Sequence, residues 1–244
     1  MSFRTLVVSP HFDDAVLSTA GVLAALPRPA AIVTVHGGPP ATDSGPSAWD
    51  RLCGFTSTDE AVRERRAEDA RACTALGVAQ IVLDHPDAPA GGTRLSGLDD
   101  CLATHAGPDT QVLLPMGIGN RAHLRVRDQA LETLERAGGP APWLYADLPY
   151  ASVVREWGTG AASRALTEHP RAGAPLRTLE SISPHREERL DAEAWGAKRR
   201  AILCYASQLA PLASEFGDIL ARPGPLNHEL IWALHRARRH GHDG

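Results

Sequence analysis

Short apolar runs that alternate with helix-like segments constrain the fold of this chain more than any other feature. The first run, residues 4–9, is rich in β-branched and apolar residues and ends at Pro10, which predicts a buried strand. Residues 14–26 have the composition of a helix and stop at Pro27. Because strands that alternate with helices are typical of βαβ units, we predict an α/β fold with a Rossmann-like, mostly parallel sheet and helices on both faces.

The same alternation continues to about residue 148 and then weakens. The further predicted strands cover residues 30–36, 79–83, 111–115 and 143–148, and the further predicted helices cover residues 58–76, 123–136, 192–208 and 226–239. Residues 37–58, rich in Gly, Pro, Ser and Thr, are too many for a routine connection, which predicts a functional surface loop that forms part of a pocket wall. The length favours a single domain over residues 1–244.

Composition argues against several kinds of partner. The chain has 25 basic and 29 acidic residues, so no excess of positive charge favours binding to nucleic acid. No stretch approaches the roughly 20 apolar residues that a membrane span needs. The N-terminal segment lacks the apolar region of a signal peptide and the four cysteines are widely spaced, which predicts free thiols and a cytoplasmic location. The sequence leaves open whether the chain forms a homo-oligomer.

His11, Asp13 and Asp14 follow the first predicted strand, and ligands of open α/β sheets bind at this end of the strands. A catalytic zinc typically has three protein ligands and one open position, and this cluster could supply two of the three. The competing interpretation is that an aspartate caps the next helix. His123 opens a predicted helix after the strand at 111–115 and is the candidate third ligand, although a lone histidine there is more often merely exposed.

Residues 9–14, Ser-Pro-His-Phe-Asp-Asp, resemble the PHxDD motif that opens the LmbE/PIG-L family of zinc-dependent N-acetylglucosaminyl deacetylases. Weaker similarities follow in the family's order at Trp49-Asp50, residues 53–55, 65–69, 115–128 and 147–150, Lys198 and residues 205–208. The resemblance implies an LmbE-like fold, one Zn²⁺ ion, and hydrolysis of an N-acyl group, as in an N-acetylated amino sugar or a related small-molecule conjugate.

The resemblance also implies a role for individual residues. The implied zinc ligands are His11, Asp14 and His123. Asp13 would act as the general base toward the metal-activated water. Arg65 would contact the substrate, and the alternative is a solvated helix arginine paired to Glu68 or Asp69. Ala15 departs mildly from the family, in which many members have an acidic residue at this position.

A larger departure concerns the family's second metal motif, commonly His-x-Asp-His. This chain has Asn120-Arg121-Ala122-His123, which keeps the last histidine and lacks the first histidine and the aspartate. In the family the first histidine helps to stabilise the charge of the tetrahedral intermediate, a contribution that can be worth several kcal/mol. Asn120, Arg121 and Tyr150 are the candidates to donate a hydrogen bond in its place.

Two other functional classes stay open. Residues 117–122 match GxGxxG/A between a strand and a helix, which would suit a dinucleotide-binding oxidoreductase. The motif lies in mid-chain, however, and no acidic residue ends a strand about 20 residues later. A non-catalytic small-molecule binding protein on the same fold is favoured by the incomplete second motif. Eight further histidines are expected to be exposed or frayed; they are His36, His85, His105, His185, His228, His235, His240 and His242.

Overall fold

The computed structural model describes residues 2–40, 45–87 and 93–235. The strands are β1 (Thr5–Ser9), β2 (Ala30–Thr34), β3 (Ala79–Val82), β4 (Gln111–Pro115), β5 (Trp143–Tyr145), β6 (Ile182–Arg189) and β7 (His228–Leu234). The α-helices are α1 (Asp14–Ala24), α2 (Ala48–Leu52), α3 (Thr58–Leu76), α4 (Ser96–His105), α5 (Arg121–Arg136), α6 (Ala162–Glu168), α7 (Ala174–Arg177), α8 (Ala192–Ile202) and α9 (Ala206–Phe216). No helix in these ranges is long and apolar enough to cross a bilayer.

The seven strands form one sheet in the order β3-β2-β1-β4-β5-β7-β6. Neighbours from β3 to β5 pair in parallel, whereas β7 runs antiparallel to both β5 and β6. This confirms the predicted α/β fold with a mostly parallel sheet. The chain leaves β1 toward β2 on one side and reaches β4 on the other, so a crevice opens beyond the carboxyl ends of β1 and β4.

Helices cover the sheet in two groups, because α1 and α3 both contact α8 while α4 packs against α5. Strands β1 and β2 are buried along their whole length, as expected for central strands with helices on both faces. Helix α3 begins at Ser57, whose side chain accepts a hydrogen bond from the backbone N–H of Glu60, and it ends at Gly77 in the left-handed conformation. These caps fix the boundaries that the sequence predicted for this helix.

The structure corrects several predicted elements, mainly in the C-terminal third. Residues 226–239 were expected to be helical, but their described part contains strand β7, and residues 236–239 lie outside the described ranges. The predicted helix at 192–208 is two helices, α8 and α9. The sequence did not predict α4, β6 or the short α2, which begins with a capping box between Ser47 and Asp50 in the segment expected to be a loop.

Buried charge attaches β7 to the helices on one face. The carboxylate of Glu229 accepts hydrogen bonds from the backbone N–H groups of Gly21 and Val22 and from Nζ of Lys198, the last at 2.7 Å. Both charged side chains are fully buried. An isolated buried charge is costly, so each partner makes the other tolerable, and the pair joins β7 to α1 and α8.

Candidate metal centre

Three side chains converge beyond the ends of β1 and β4. His11 follows β1, Asp14 begins α1, and His123 lies in the first turn of α5. Asp14 Oδ2 is 3.1 Å from both His11 Nδ1 and His123 Nε2, and the two imidazole nitrogens are 3.3 Å apart. His123 is fully buried, Asp14 is buried, and His11 is partly open to solvent. The structure therefore brings together the three residues that the sequence nominated.

The three ligand atoms fit a tetrahedral zinc site. Ligands at about 2.0–2.1 Å from zinc in tetrahedral geometry lie about 3.3 Å from one another, and the separations between these three atoms are 3.1–3.3 Å. Two imidazoles and one carboxylate also form a donor set that suits zinc and leaves a fourth position open. Within the described part of the chain, no other group of three His, Cys, Asp or Glu side chains has comparable spacing.

Attraction among these groups outweighs the effect of burial. Burial alone would lower the pKa of His11, but hydrogen bonds to Asp14 and Asp87 raise it to about 9. Burial likewise opposes the protonated form of His123, and the charge of Asp14 raises its pKa to about 10. The two imidazoles hold the pKa of Asp14 well below its usual range despite its burial. The site is thus built for a carboxylate surrounded by positive charge, which a cation could supply in place of the imidazole protons.

Asp147, just beyond β5, fixes the orientation of His123. Its Oδ1 is 2.8 Å from His123 Nδ1, and its Oδ2 accepts hydrogen bonds from the backbone N–H groups of Gly117 and Ile118, both at 2.8 Å. Carboxylates commonly hold metal-binding histidines in this way. Asp147 lies in residues 147–150, which resemble the family, but the sequence assigned it no role. Because these loop amides bind Asp147, they are not free for a pyrophosphate, which argues against the dinucleotide-binding alternative.

The other imidazole has a more open partner. His11 Nε2 lies 3.1 Å from Oδ2 of Asp87, a hydrogen bond that lowers the pKa of Asp87 to about 2, and the Asp87 side chain is 57% exposed. His36 follows β2 and its ring is 5.5 Å from that of His11. Nδ1 of His36 donates to the carbonyl of Pro86, and burial lowers the pKa of its ring to about 4. The sequence did not identify Asp87.

Six of the eight histidines that were expected to be exposed or frayed lie in the described ranges, and they differ in their exposure. His36 and His228 are buried, so the expectation that they are exposed was wrong. His85 and His105 are half-buried, whereas His185 and His235 are exposed as expected. His240 and His242 lie outside the described residues.

Asp13 lies beside the cluster but takes no part in it. It is the residue before α1, yet its side chain makes no cap hydrogen bond, so the helix-cap interpretation fails for Asp13. Burial and then the charge of Asp14 raise the pKa of Asp13 to about 6. Arg65 is near enough for its charge to oppose this increase. A carboxylate in this position can exchange a proton while its neighbour is fixed between two imidazoles.

Arg65 forms part of the wall next to Asp13. Its guanidinium Nη2 is 2.9 Å from Asp50 Oδ1, and the group lies over the ring of Phe55 at 5.7 Å from the centroid. The alternative pairing with Glu68 or Asp69 is wrong, since those carboxylates bind Ser207 and Tyr205. Asp50 and Phe55 both come from the segment that the sequence predicted as a pocket wall.

Asn120 and Tyr150 lie on the His123 side. Oδ1 of Asn120 caps α5 by accepting a hydrogen bond from the backbone N–H of Ala122, and its side chain also interacts with Tyr150. The Tyr150 ring stands edge to face against His123 at 5.6 Å. Burial and the charge of Asp14 raise the pKa of Tyr150, so its hydroxyl keeps a proton to donate. Arg121, the third candidate donor, is exposed and lines a separate surface cavity of about 450 Å³.

Comparison with known proteins agrees with this geometry. The family profile named PIG-L, described as GlcNAc-PI de-N-acetylase, matches residues 6–175. This chain belongs to the PIG-L family. The resemblance of the sequence to that family is thereby confirmed, and the matched residues include His11, Asp14 and His123.

Individual relatives extend the comparison. A 2'-N-acetylparomamine deacetylase of Streptomyces fradiae is 35% identical over 174 residues, which are 61% of this chain and 58% of the relative. Among solved structures, the A40926 pseudoaglycone deacetylase Dbv21 is 25% identical with a TM-score of 0.69, covering 97% of this chain and 100% of that chain. The zinc-inhibited form of the teicoplanin deacetylase Orf2 has 22% identity and a TM-score of 0.71, covering 97% and 99%. The latter supports the fold alone.

Proposed function

We propose that this protein is a zinc-dependent N-deacetylase that acts on an N-acetylated amino sugar or a related small-molecule conjugate. The observation that carries the proposal is the convergence of His11, Asp14 and His123 with Asp13 beside them, in a chain of the PIG-L family. The names of two relatives support the substrate class, since one is a 2'-N-acetylparomamine deacetylase and the other an A40926 pseudoaglycone deacetylase.

The proposed zinc ligands are His11 Nδ1, Asp14 Oδ2 and His123 Nε2. A bound zinc ion would polarise the substrate carbonyl and lower the pKa of water in the site. Asp147 would bind Nδ1 of His123 so that Nε2 faces the metal, whereas Asp87 would bind Nε2 of His11 so that Nδ1 faces the metal.

Asp13 is the proposed general base. It would accept a proton from the attacking water and return it to the leaving amine. Asp14 cannot exchange a proton in this way, because both imidazoles contact its carboxylate. We assign Tyr150, supported by Asn120, to donate a hydrogen bond to the carbonyl oxygen as negative charge develops there. Arg65, fixed by Asp50, would contact hydroxyl or acidic groups of the substrate.

The test compares wild type with Asp13→Asn and with Asp14→Asn as the neighbouring control. Metal content and acetate release from a panel of N-acetylglucosaminides and N-acetylated aminoglycosides are measured for each. We expect about one zinc per wild-type chain, loss of zinc in Asp14→Asn, and in Asp13→Asn retained zinc with activity reduced about 10²–10⁴-fold. An Asp13→Asn variant as active as wild type would contradict the role of Asp13.

A non-catalytic binding protein is the second candidate, because Asn120 and Ala122 occupy positions where the family commonly has His and Asp. The same panel separates the two functions. Stoichiometric zinc without acetate release from any N-acyl substrate would favour the binding protein and would overturn the deacetylase.

We also propose a cytoplasmic location. All four cysteines are unpaired, and Cys73 and Cys101 are buried. Proteins of reducing compartments typically keep their thiols free, so this arrangement supports the proposal.

A further inference from the structure

A second cavity, of about 310 Å³, opens where β6 ends and β7 begins. It is lined by Trp157, Gly158, Arg189, Pro223, Gly224, Asn227 and His228. None of these residues belongs to the candidate metal centre. Because β7 is antiparallel to β5, its first residue, His228, lies at the same edge of the sheet as the metal centre, with β5 between them. The cavity therefore opens at the same edge of the sheet as the proposed active site.

His228 is the buried polar group of this cavity. It is 4% exposed, and neither ring nitrogen has a hydrogen-bond partner among the described residues. Its Nε2 is 3.6 Å from Oε1 of Glu187, too far for a hydrogen bond, and that oxygen is also without a partner. Buried polar atoms are nearly always hydrogen-bonded to protein or to ordered water, so the atoms of this cluster are available to a partner from outside the chain.

The chemistry of the wall restricts that partner. Burial and the charges of Lys198 and Arg189 lower the pKa of His228 to about 4, so at neutral pH its ring offers one donor and one acceptor. Arg189 adds donors at the rim, and Glu187, which does not line the cavity but lies 3.6 Å from His228, adds an acceptor. The indole of Trp157 is fixed by a hydrogen bond from Nε1 to the carbonyl of Pro225 and stands edge to face with His228 at 5.0 Å.

A neutral hydroxylated ring satisfies this wall better than a simple anion does. An anion would be attracted to Arg189 but repelled by Glu187. Hydroxyl groups both donate and accept, so one ring can meet the lone pairs of His228 and Glu187 and the guanidinium of Arg189. Its apolar C–H surface can pack on Trp157. We propose that this cavity is a subsite for a second, sugar-like ring of the substrate, an inference that rests on the proposed deacetylase function.

Binding is tested first without catalysis. Methyl α-D-glucopyranoside is titrated into the full-length protein while the indole N–H signals of its tryptophans are followed by NMR, with Trp157→Phe used to assign the Trp157 signal. We expect a saturable shift of that signal. Arg189→Ala should weaken binding about 2- to 10-fold through lost hydrogen bonds, whereas Arg155→Ala, which removes an exposed arginine outside the cavity, should not. No shift, or equal affinity in both arginine variants, would overturn the proposal.

The subsite role is tested by kinetics with one-ring and two-ring N-acetylglucosaminides. We expect Arg189→Ala to raise KM for the two-ring substrate about 2- to 10-fold more than for the one-ring substrate, with kcat little altered. Sugar binding with equal effects on the two substrates would overturn the role as a substrate subsite. If wild type binds the glucoside at Trp157 but releases no acetate from any substrate, the deacetylase proposal fails while the sugar site itself stands.

Discussion

The two histidines of the candidate metal centre are held in opposite ways. His123 is fully buried and is oriented by Asp147, a buried carboxylate that two backbone N–H groups hold in turn. His11 is partly exposed and pairs with Asp87, whose side chain is mostly in solvent. One side of the centre is thus rigid before any metal binds, while the other side can adjust. If the proposed function holds, we expect metal and substrate to enter from the more exposed His11 side.

The largest expected effect is a difference in folding stability between variants of the two histidines. His123→Ala should lose the metal and also destabilise the fold by about 3–5 kcal/mol, because Asp147 would remain as a buried charge without its imidazole partner. His11→Ala should lose the metal with a smaller cost of about 1–2 kcal/mol, because the exposed Asp87 can be solvated and the buried Asp14 keeps His123 as a partner. Urea unfolding of the metal-free proteins, together with metal analysis, checks both. Equal destabilisation would show that the two sides are alike.

A second prediction concerns the hydrogen-bond donor on the rigid side. Tyr150→Phe should lower kcat about 10²-fold, the range for loss of one donor to a developing oxyanion, with little change in KM or zinc content. Tyr145→Phe is the matched control, since its buried hydroxyl donates to the carbonyl of Val8 instead. If both variants lose the same activity, the effect of Tyr150 is structural.

The smallest predicted effect is a difference in zinc affinity between variants of the two supporting carboxylates, Asp147 and Asp87. Asp147→Asn should weaken zinc affinity about 10- to 100-fold, as is typical when the partner of a metal-binding histidine is altered. Asp87→Asn should weaken it less than about 10-fold, because water can replace an exposed partner. Competition with a fluorescent zinc chelator measures both affinities. A larger effect for Asp87 would reverse the assignment of rigid and adjustable sides.

The structure was predicted most accurately from the sequence where an element or motif depends on residues that lie close together along the chain. The first strand and the His11 to Asp14 motif lie together in sequence, and strand β4 was predicted with the bounds that the structure shows. Asp147 and Asp87 could not be assigned from the sequence because their roles depend on which imidazole each one meets. One sequence feature could have identified Asp147 as a site residue. It is an acidic residue just beyond a buried strand in a chain that was predicted to form a parallel sheet.

The prediction for the segment that forms strand β7 failed for a different reason. Its segment, His-Glu-Leu-Ile-Trp-Ala-Leu, is nearly continuous in apolar residues, and a fully buried strand of this kind cannot be distinguished from a buried helix by periodicity. Tertiary contacts decide between helix and strand for this segment. Glu229 reaches the backbone N–H groups of α1 only when the segment is a strand at this position in the sheet. The segment that contains Gly117 and Gly119 resembled a dinucleotide-binding loop, but these glycines instead allow close packing. Gly119 has a φ of +77°, and a Cβ there would lie 2.7 Å from Cβ of Tyr150.

The position of β7 between β5 and β6 also sets an order of events during synthesis. Strands β1 to β5 can pair as they leave the ribosome, whereas β6 has no neighbour until residues 228–234 have emerged. The same segment delivers Glu229, without which Lys198 is a lone charge in the interior. A nascent chain halted before this point would expose the edge of β5 and hold β6 unpaired, a form open to proteases and to aggregation. The seven-stranded sheet therefore cannot be completed until this late strand has been synthesised.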